Sequence, residues 1–168
     1  MKEVTVSDAA LRKAAAEDMD AFVAVFVDAI KEAIDGELTA ENMGLLNADQ
    51  ITLLAWDILH EEVMDGGFVQ LIHTGYGPVI FKNPFAKAVK LWGMRELSKL
   101  IYAAHSLYVK YHVQIEADCT DDEFMALYEQ FPEFDDLDDA FIESEEGWTA
   151  QIAEYIDQHL EQFAHVEE

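Results

Sequence analysis

The sequence predicts an all-α fold: one compact multi-helix domain of about six to eight helices, spanning residues 1–168. Three observations lead there. Apolar residues recur every three or four positions through most of the chain. Capping residues stand ahead of these runs, and glycine or proline stands behind them. Stretches able to form strands are few and short, "PVIF" (78–81) being an example, and neither a repeat nor a linker interrupts the pattern.

Each element has its own signal. Ser7 is placed to cap a first helix. Leu11, Ala15, Met19, Phe22, Phe26 and Ile30 then form one apolar stripe, with a break expected near Glu17–Asp18 and an end near Asp35–Gly36. Asn47 and Gln50 have capping-box spacing, and Ile51, Leu54, Ile58 and Val63 follow at helical intervals. Gly66 is expected to take the left-handed position that ends this helix, with a short helix from Phe68 to Thr74 after it. Asn83 and Pro84 read as cap and first residue of the next helix. A long helix from about Arg95 to Glu116 would bury Leu97, Leu100, Ile101, Ala104, Tyr108, Tyr111 and Ile115. Thr120 and Glu123 form another capping box, and Pro132 ends the helix it starts. Leu137, Ala140 and Phe141 mark a further helix, and Trp148, Ile152, Tyr155, Ile156, His159 and Phe163 mark the last.

Charge divides the chain unevenly. The formal net charge is -25, where about 2 to 8 of either sign keeps a small domain soluble. Residues 1–81 carry a net -11, residues 82–110 a net +5, and residues 111–168 a net -19 with no Lys or Arg. A segment so acidic resembles a disordered tail in composition. Its aromatics, among them Phe124, Tyr128, Phe134, Phe141, Trp148 and Tyr155, are spaced along helix faces, so 116–168 is expected to fold as a strongly acidic helical segment. Nucleic acid and anionic membranes are disfavoured as direct partners, because both are polyanions. A basic protein is favoured. The single cysteine, Cys119, excludes an internal disulfide. The N-terminal residues lack the apolar core of a signal peptide, and the run AFVAVFV (21–27) is too short to span a bilayer, so a cytoplasmic protein is expected.

Familiar catalytic and metal-binding patterns fail one by one. "HEEVMD" (60–65) opens like a zinc-protease motif but has Met64 where the second histidine belongs. "DILH" (57–60) offers half of a di-iron ligand set, and "EQFAH" (161–165) has the wrong spacing to complete it. His105 and His112 stand two turns apart on one helix, too far to share a metal unaided. The acidic runs around 118–124 and 134–146 lack the glycine an EF-hand loop needs. Acidic neighbours raise the thiol pKa of Cys119, the opposite of what a nucleophile requires. No cofactor and no metal site is expected. An enzymatic alternative remains in a carboxylate and histidine pocket built from His60, Glu61, Glu62 and His73.

"EEVMDGGFVQLIHTGYG" (61–77) reads as a tight corner between helices, with Gly66 supplying positive φ, Gly67 close backbone approach, Phe68 and Leu71 burial, and Gln70 hydrogen bonds to loose backbone ends. Together with "FAKAVKLWGMRELSKLI" and "FPEFDDLDDAFIES", this stretch resembles a bacterial domain-of-unknown-function family that contains a DNA-mimic protein. The family shows an asparagine- or aspartate-Gly-Gly-Phe-x-Gln signature, which Asp65, Gly66, Gly67, Phe68 and Gln70 match, and the likeness runs from about Asn47 to Ser144. It implies an all-helical, acidic, non-enzymatic protein, and a homodimer as a partner state, since the best-studied type of member is dimeric. Such a member sets carboxylates in a DNA-like arrangement on the DNA-binding surface of a transcription regulator. Independently of the family, outward carboxylates suit that role, and the expected set is Asp121, Asp122, Glu133, Asp135, Asp136, Asp138, Asp139, Glu145 and Glu146. The plainest alternative is an acidic helical domain whose charge serves only solvation.

Overall fold

Ser7 starts the first helix as the spacing predicts, and the break expected near Glu17–Asp18 falls at Asp18, which caps the second. In the computed structural model, which describes residues 2–168, Ser7 Oγ accepts the Ala10 N–H at 3.1 Å and Asp18 Oδ1 accepts the Ala21 N–H at 2.7 Å. Helix α1 (Asp8–Glu17) therefore ends where α2 (Met19–Ala33) begins. The chain leaves α2 through Asp35 and Gly36, both at positive φ. A capping box opens α3 (Ala48–His73): the Gln50 N–H donates to Asn47 Oδ1 and the Asn47 N–H to Gln50 Oε1. These two side chains also reach forward in sequence. Asn47 Nδ2 donates to the Gln162 carbonyl and Gln50 Nε2 to that of Phe163, so the start of α3 is tied to α9 (Leu160–Phe163).

Next come α4 (Gly77–Phe81) and α5 (Phe85–Leu91). "PVIF" is thus helical and not extended. Its Ile80 and Phe81 are buried, and four apolar residues in a row carry no period that separates strand from buried helix. Asn83 does not cap the helix that follows. Its Nδ2 donates backwards to the carbonyls of Pro78 and Val79 and closes the end of α4. Helix α6 (Arg95–Glu116) has the expected bounds and buries the expected face except Tyr111, which is half-buried with its hydroxyl turned to Glu133, and Thr120 and Glu123 form the capping box of α7 (Asp121–Gln130).

The two helices expected at the C-terminal end are one, α8 (Asp135–Gln158), which runs through Gly147 unbroken. The acidic segment folds, with Phe134, Phe141, Ile152, Ile156 and Phe163 fully buried. Two three-residue strands pair in parallel, β1 (Thr5–Ser7) and β2 (His165–Glu167). They were not foreseen, since three residues are too few to show alternation. The described residues thus form nine helices and one two-stranded ribbon, an all-α fold.

Contacts gather the chain into two units, one made of the residues up to Asp57 with Glu146–Glu168, the other of Ile58–Glu145. The core of the first includes Phe26, Ile30, Leu53, Ile152, Ile156 and Phe163, with the Phe26 and Phe163 rings edge-on. The core of the second includes Phe68, Leu71, Ile72, Leu97, Phe134 and Phe141, with Phe68 stacked on Phe134 and edge-on to Phe141. Among the described residues, no helix is long and apolar enough to cross a membrane.

Candidate functional site: a capped corner and an acidic row

Helix α3 breaks at Gly66–Gly67. Gly66 has φ -150° and ψ 16°, while Gly67 has φ 75° and ψ -177°, a region that only glycine enters at little cost. Positive φ therefore falls on Gly67 and not on Gly66, where the sequence placed it. The chain re-enters the helix at Phe68, and the restarted turn needs acceptors for its first N–H groups. One comes from α8: the Phe68 N–H donates to Asp138 Oδ1 at 2.9 Å. A Cβ on Gly67 would lie 2.4 Å from Asp138 Oδ2, so the same carboxylate occupies the space a side chain would need.

The other residues of the signature surround this contact. Tyr128 donates its hydroxyl proton to the Gly66 carbonyl at 2.8 Å. Gln70 does not bond backbone ends, as expected from sequence. Its Nε2 donates to Glu62 Oε2 at 2.7 Å and to Asp65 Oδ2 at 2.8 Å, placing a neutral donor between two like charges. Gly66 leaves room for that side chain, since a Cβ there would sit 2.0 Å from Gln70 Oε1. Phe68 and Leu71 are fully buried, as predicted.

Burial pushes the Asp138 carboxyl up to about 6, the Phe68 N–H pulls it the other way, and Asp135 and Asp139 add to the rise. Burial also raises the Tyr128 hydroxyl, helped by Asp138 and Asp65. The Cys119 thiol is raised by desolvation and by Glu123, Asp118 and Asp121, as its acidic setting implies.

The four residues of the alternative pocket each have separate engagements. His60 Nε2 lies 2.8 Å from Glu145 Oε2. His73 Nδ1–H donates to the Ile115 carbonyl at 2.7 Å, with its ring against Phe124. Glu62 is held by Gln70, and Glu61 is exposed. Asp57 of "DILH" faces Lys31 at 3.2 Å. Among the described residues, no group of three or more His, Cys, Asp or Glu side chains is placed to hold a metal ion.

Seven of the nine carboxylates expected on the outer surface are exposed: Asp121, Asp122, Glu133, Asp135, Asp136, Asp139 and Glu146. Asp138 and Glu145 are half-buried and engaged within the fold. Helical periodicity separates these classes. Asp138, Phe141, Glu145 and Trp148 follow one inward stripe of α8, whereas Asp136, Asp139, Glu143 and Glu146 follow an exposed one. Glu143 is thus a member of the outer row that residue type alone did not single out. With a rise of 1.5 Å per residue, the row spans about 15 Å, one carboxylate per about 5 Å. Glu133 accepts a hydrogen bond from the Tyr111 hydroxyl, and that bond holds its carboxyl below the usual range. The first turns of α7 and α8 are acidic throughout their exposed positions, where the helix dipole favours negative charge.

A family model described as DMP19-like protein matches residues 44–159. The chain is also 40% identical over 128 residues to the DNA mimic protein DMP19 of Neisseria meningitidis serogroup B (strain ATCC BAA-335 / MC58), covering 75% of this chain and 77% of that protein. The chain belongs to the DMP19-like family. The matched region contains the Gly-Gly corner, Asp138 and the exposed row of α8. Within this family member, the signature marks a folding device and not the charged surface.

Two measurements test the corner. Gly67→Ala is expected to destabilise by about 2 kcal/mol or more, from backbone strain and the clash with Asp138. The same change at Gly147, helical and with open space around it, is expected to stabilise by about 0.5–1 kcal/mol. Urea unfolding reads both, and equal effects would refute the strained corner. Asp138→Asn keeps an acceptor for the Phe68 N–H but does not ionise. A raised carboxyl contributes stability that is full below its ordinary value, 3.8, and lost as pH rises through about 6. Wild type is therefore expected to lose stability relative to Asp138→Asn across that window. Parallel pH profiles would show that the buried carboxyl is not the cause.

Proposed function

We propose that this protein is a non-enzymatic DNA mimic that occupies the basic DNA-binding surface of a transcription regulator. The observation that carries the reading is the exposed row Asp136, Asp139, Glu143 and Glu146 on a helix within a segment free of Lys and Arg from residue 111 to 168. Duplex DNA carries one charge per about 1.7 Å of axis counting both strands, or about 3.4 Å along one. One helix row presents charge at about 5 Å, and Asp121, Asp122, Glu133 and Asp135 add to it. Carboxylates so spaced meet the Lys and Arg of a groove built for phosphates. A relative bearing the name DNA mimic protein supports the reading.

Such binding rests on charge, so it weakens as salt rises. The test takes a basic regulator retained from lysate of the source organism at low salt and measures its binding to its own DNA with this protein as competitor. Competition that fades with salt is expected. The variant Asp136→Asn, Asp139→Asn, Glu143→Gln, Glu146→Gln is expected to compete at least tenfold less well. Competition indifferent to salt, or unchanged in that variant, overturns the reading.

We propose further that the protein associates with a second copy through α6. Tyr102, Val109 and Val113 are exposed at helical spacing, and Lys82, Lys87, Lys90, Arg95, Lys99 and Lys110 are exposed in the same basic segment. The only ion pair there among the described residues is Lys99 with its helix neighbour Glu96. A basic, apolar face on so acidic a chain suits another acidic copy. Sedimentation equilibrium is expected to give a dimer mass, reduced to a monomer by Val109→Glu with Val113→Glu. A monomeric wild type refutes it.

A further inference from the structure

The Gly-Gly corner opens onto a cleft of about 520 Å³ within the unit Ile58–Glu145, inside the range of about 300–1,000 Å³ that ligand clefts occupy. Its lining includes Met64, Met125 and Ile142, from α3, α7 and α8. These side chains are 40%, 63% and 50% exposed. Three large apolar side chains converging in the open from three helices require an explanation, since isolated ones are routine and grouped ones mark contact sites. Phosphate mimicry does not supply it, because nothing on the outer surface of a DNA backbone resembles a thioether or an isoleucine.

Around the apolar lining the charge has one sign. Asp65 and Asp138 border the cleft, and Asp121, Asp122, Asp135 and Asp139 are exposed on the helices that form it. No Lys or Arg occurs between Lys31 and Lys82 or beyond Lys110, so none lies on α3, α7 or α8. The Tyr128 hydroxyl is already committed to the Gly66 carbonyl. The floor near Val63 and Gly67 is buried, whereas both methionines are unbranched and adapt to the shape of what enters.

We propose that this cleft receives the apolar side chains of a short basic amphipathic helix from the partner protein. The inference deepens the mimic reading and rests on it only in taking the partner to be basic. The carboxylates would meet Lys and Arg on the flanks of that helix, while Met64, Met125 and Ile142 would cover its leucine-like anchors. Contact of this second kind is insensitive to salt and unavailable to DNA, so it would give the protein a grip on one partner beyond what phosphate imitation provides.

The test uses two fluorescein-labelled helical peptides of equal length and charge, one with Lys and Leu at amphipathic spacing and one with Lys and Ala. Anisotropy titration is expected to show the Lys/Leu peptide binding at least tenfold tighter, a gap that persists as salt rises. In the intact protein labelled at its methionine methyls, the Lys/Leu peptide is expected to shift the Met64 and Met125 signals. The double variant Met125→Ala, Ile142→Ala trims side chains at least half exposed and is expected to close the gap while leaving the Lys/Ala affinity unchanged. Equal binding of both peptides, or a gap that survives in the double variant, overturns the cleft. So does a change in the free protein's own mass on making that variant, which would assign the cleft to a second copy. The mimic reading fails differently: neutralising the α8 row would then leave the affinity of both peptides unchanged.

Discussion

The hydrogen bond from the Phe68 amide to Asp138 sets the direction of the chain at the point where α3 breaks. A helix restart leaves N–H groups without partners, and in a buried position each is costly. Asp138 supplies an acceptor from a helix 70 residues away in sequence. Once that carboxylate is in place, position 67 has neither the space nor the backbone geometry for a side chain. Phe68 is then delivered between Phe134 and Phe141, and the turn after it buries Leu71 and Ile72. One contact thus couples the Gly-Gly pair, the aromatic core and the start of α8.

The same contact explains how part of an acidic chain is kept folded. Carboxylates that stand close together repel, and a net charge of -25 leaves few cations to offset them. Neutral donors take over that work near the corner. Gln70 bridges Glu62 and Asp65, Tyr111 donates to Glu133, and backbone N–H groups serve Asp138 and Glu123. Lys31 attends Asp57 and Glu37 directly. Carboxylates in the first turns of α7 and α8 gain from the helix dipole. The carboxylates on the outer stripe of α8, Asp136, Asp139, Glu143 and Glu146, are exposed.

Local chemistry was legible in the sequence, and distant chemistry was not. Ser7, Asn47 with Gln50, and Thr120 with Glu123 cap helices through bonds spanning three residues, so spacing reveals them. Asn83 looks the same in sequence yet bonds backwards to Pro78 and Val79, because the competing carbonyls are equally near. Gly147 stays helical because no clash or competing cap forces a break. The register of positive φ at the corner depends on Asp138, which no local pattern announces. The candidate surface follows the same division. Residue type marks the carboxylates, but separating Asp138 and Glu145 from Asp139 and Glu146 takes the phase of α8, and that phase is fixed by Phe141 and Trp148.

Charge and apolar contact do different work on such a surface. A row of carboxylates attracts any groove that evolved to hold phosphate, and the attraction reaches out about 8–10 Å at ordinary salt before screening ends it. That range speeds encounter but discriminates poorly among basic proteins. A protein that imitated DNA perfectly would inherit the indifference of the DNA backbone, which is bound by all its readers. The exposed Met64, Met125 and Ile142, at the corner that the Gly-Gly signature builds, are side chains no phosphate backbone resembles. The signature folds the chain through Asp138, and the cleft beside it groups Met64, Met125 and Ile142, apolar side chains that nucleic acid does not offer.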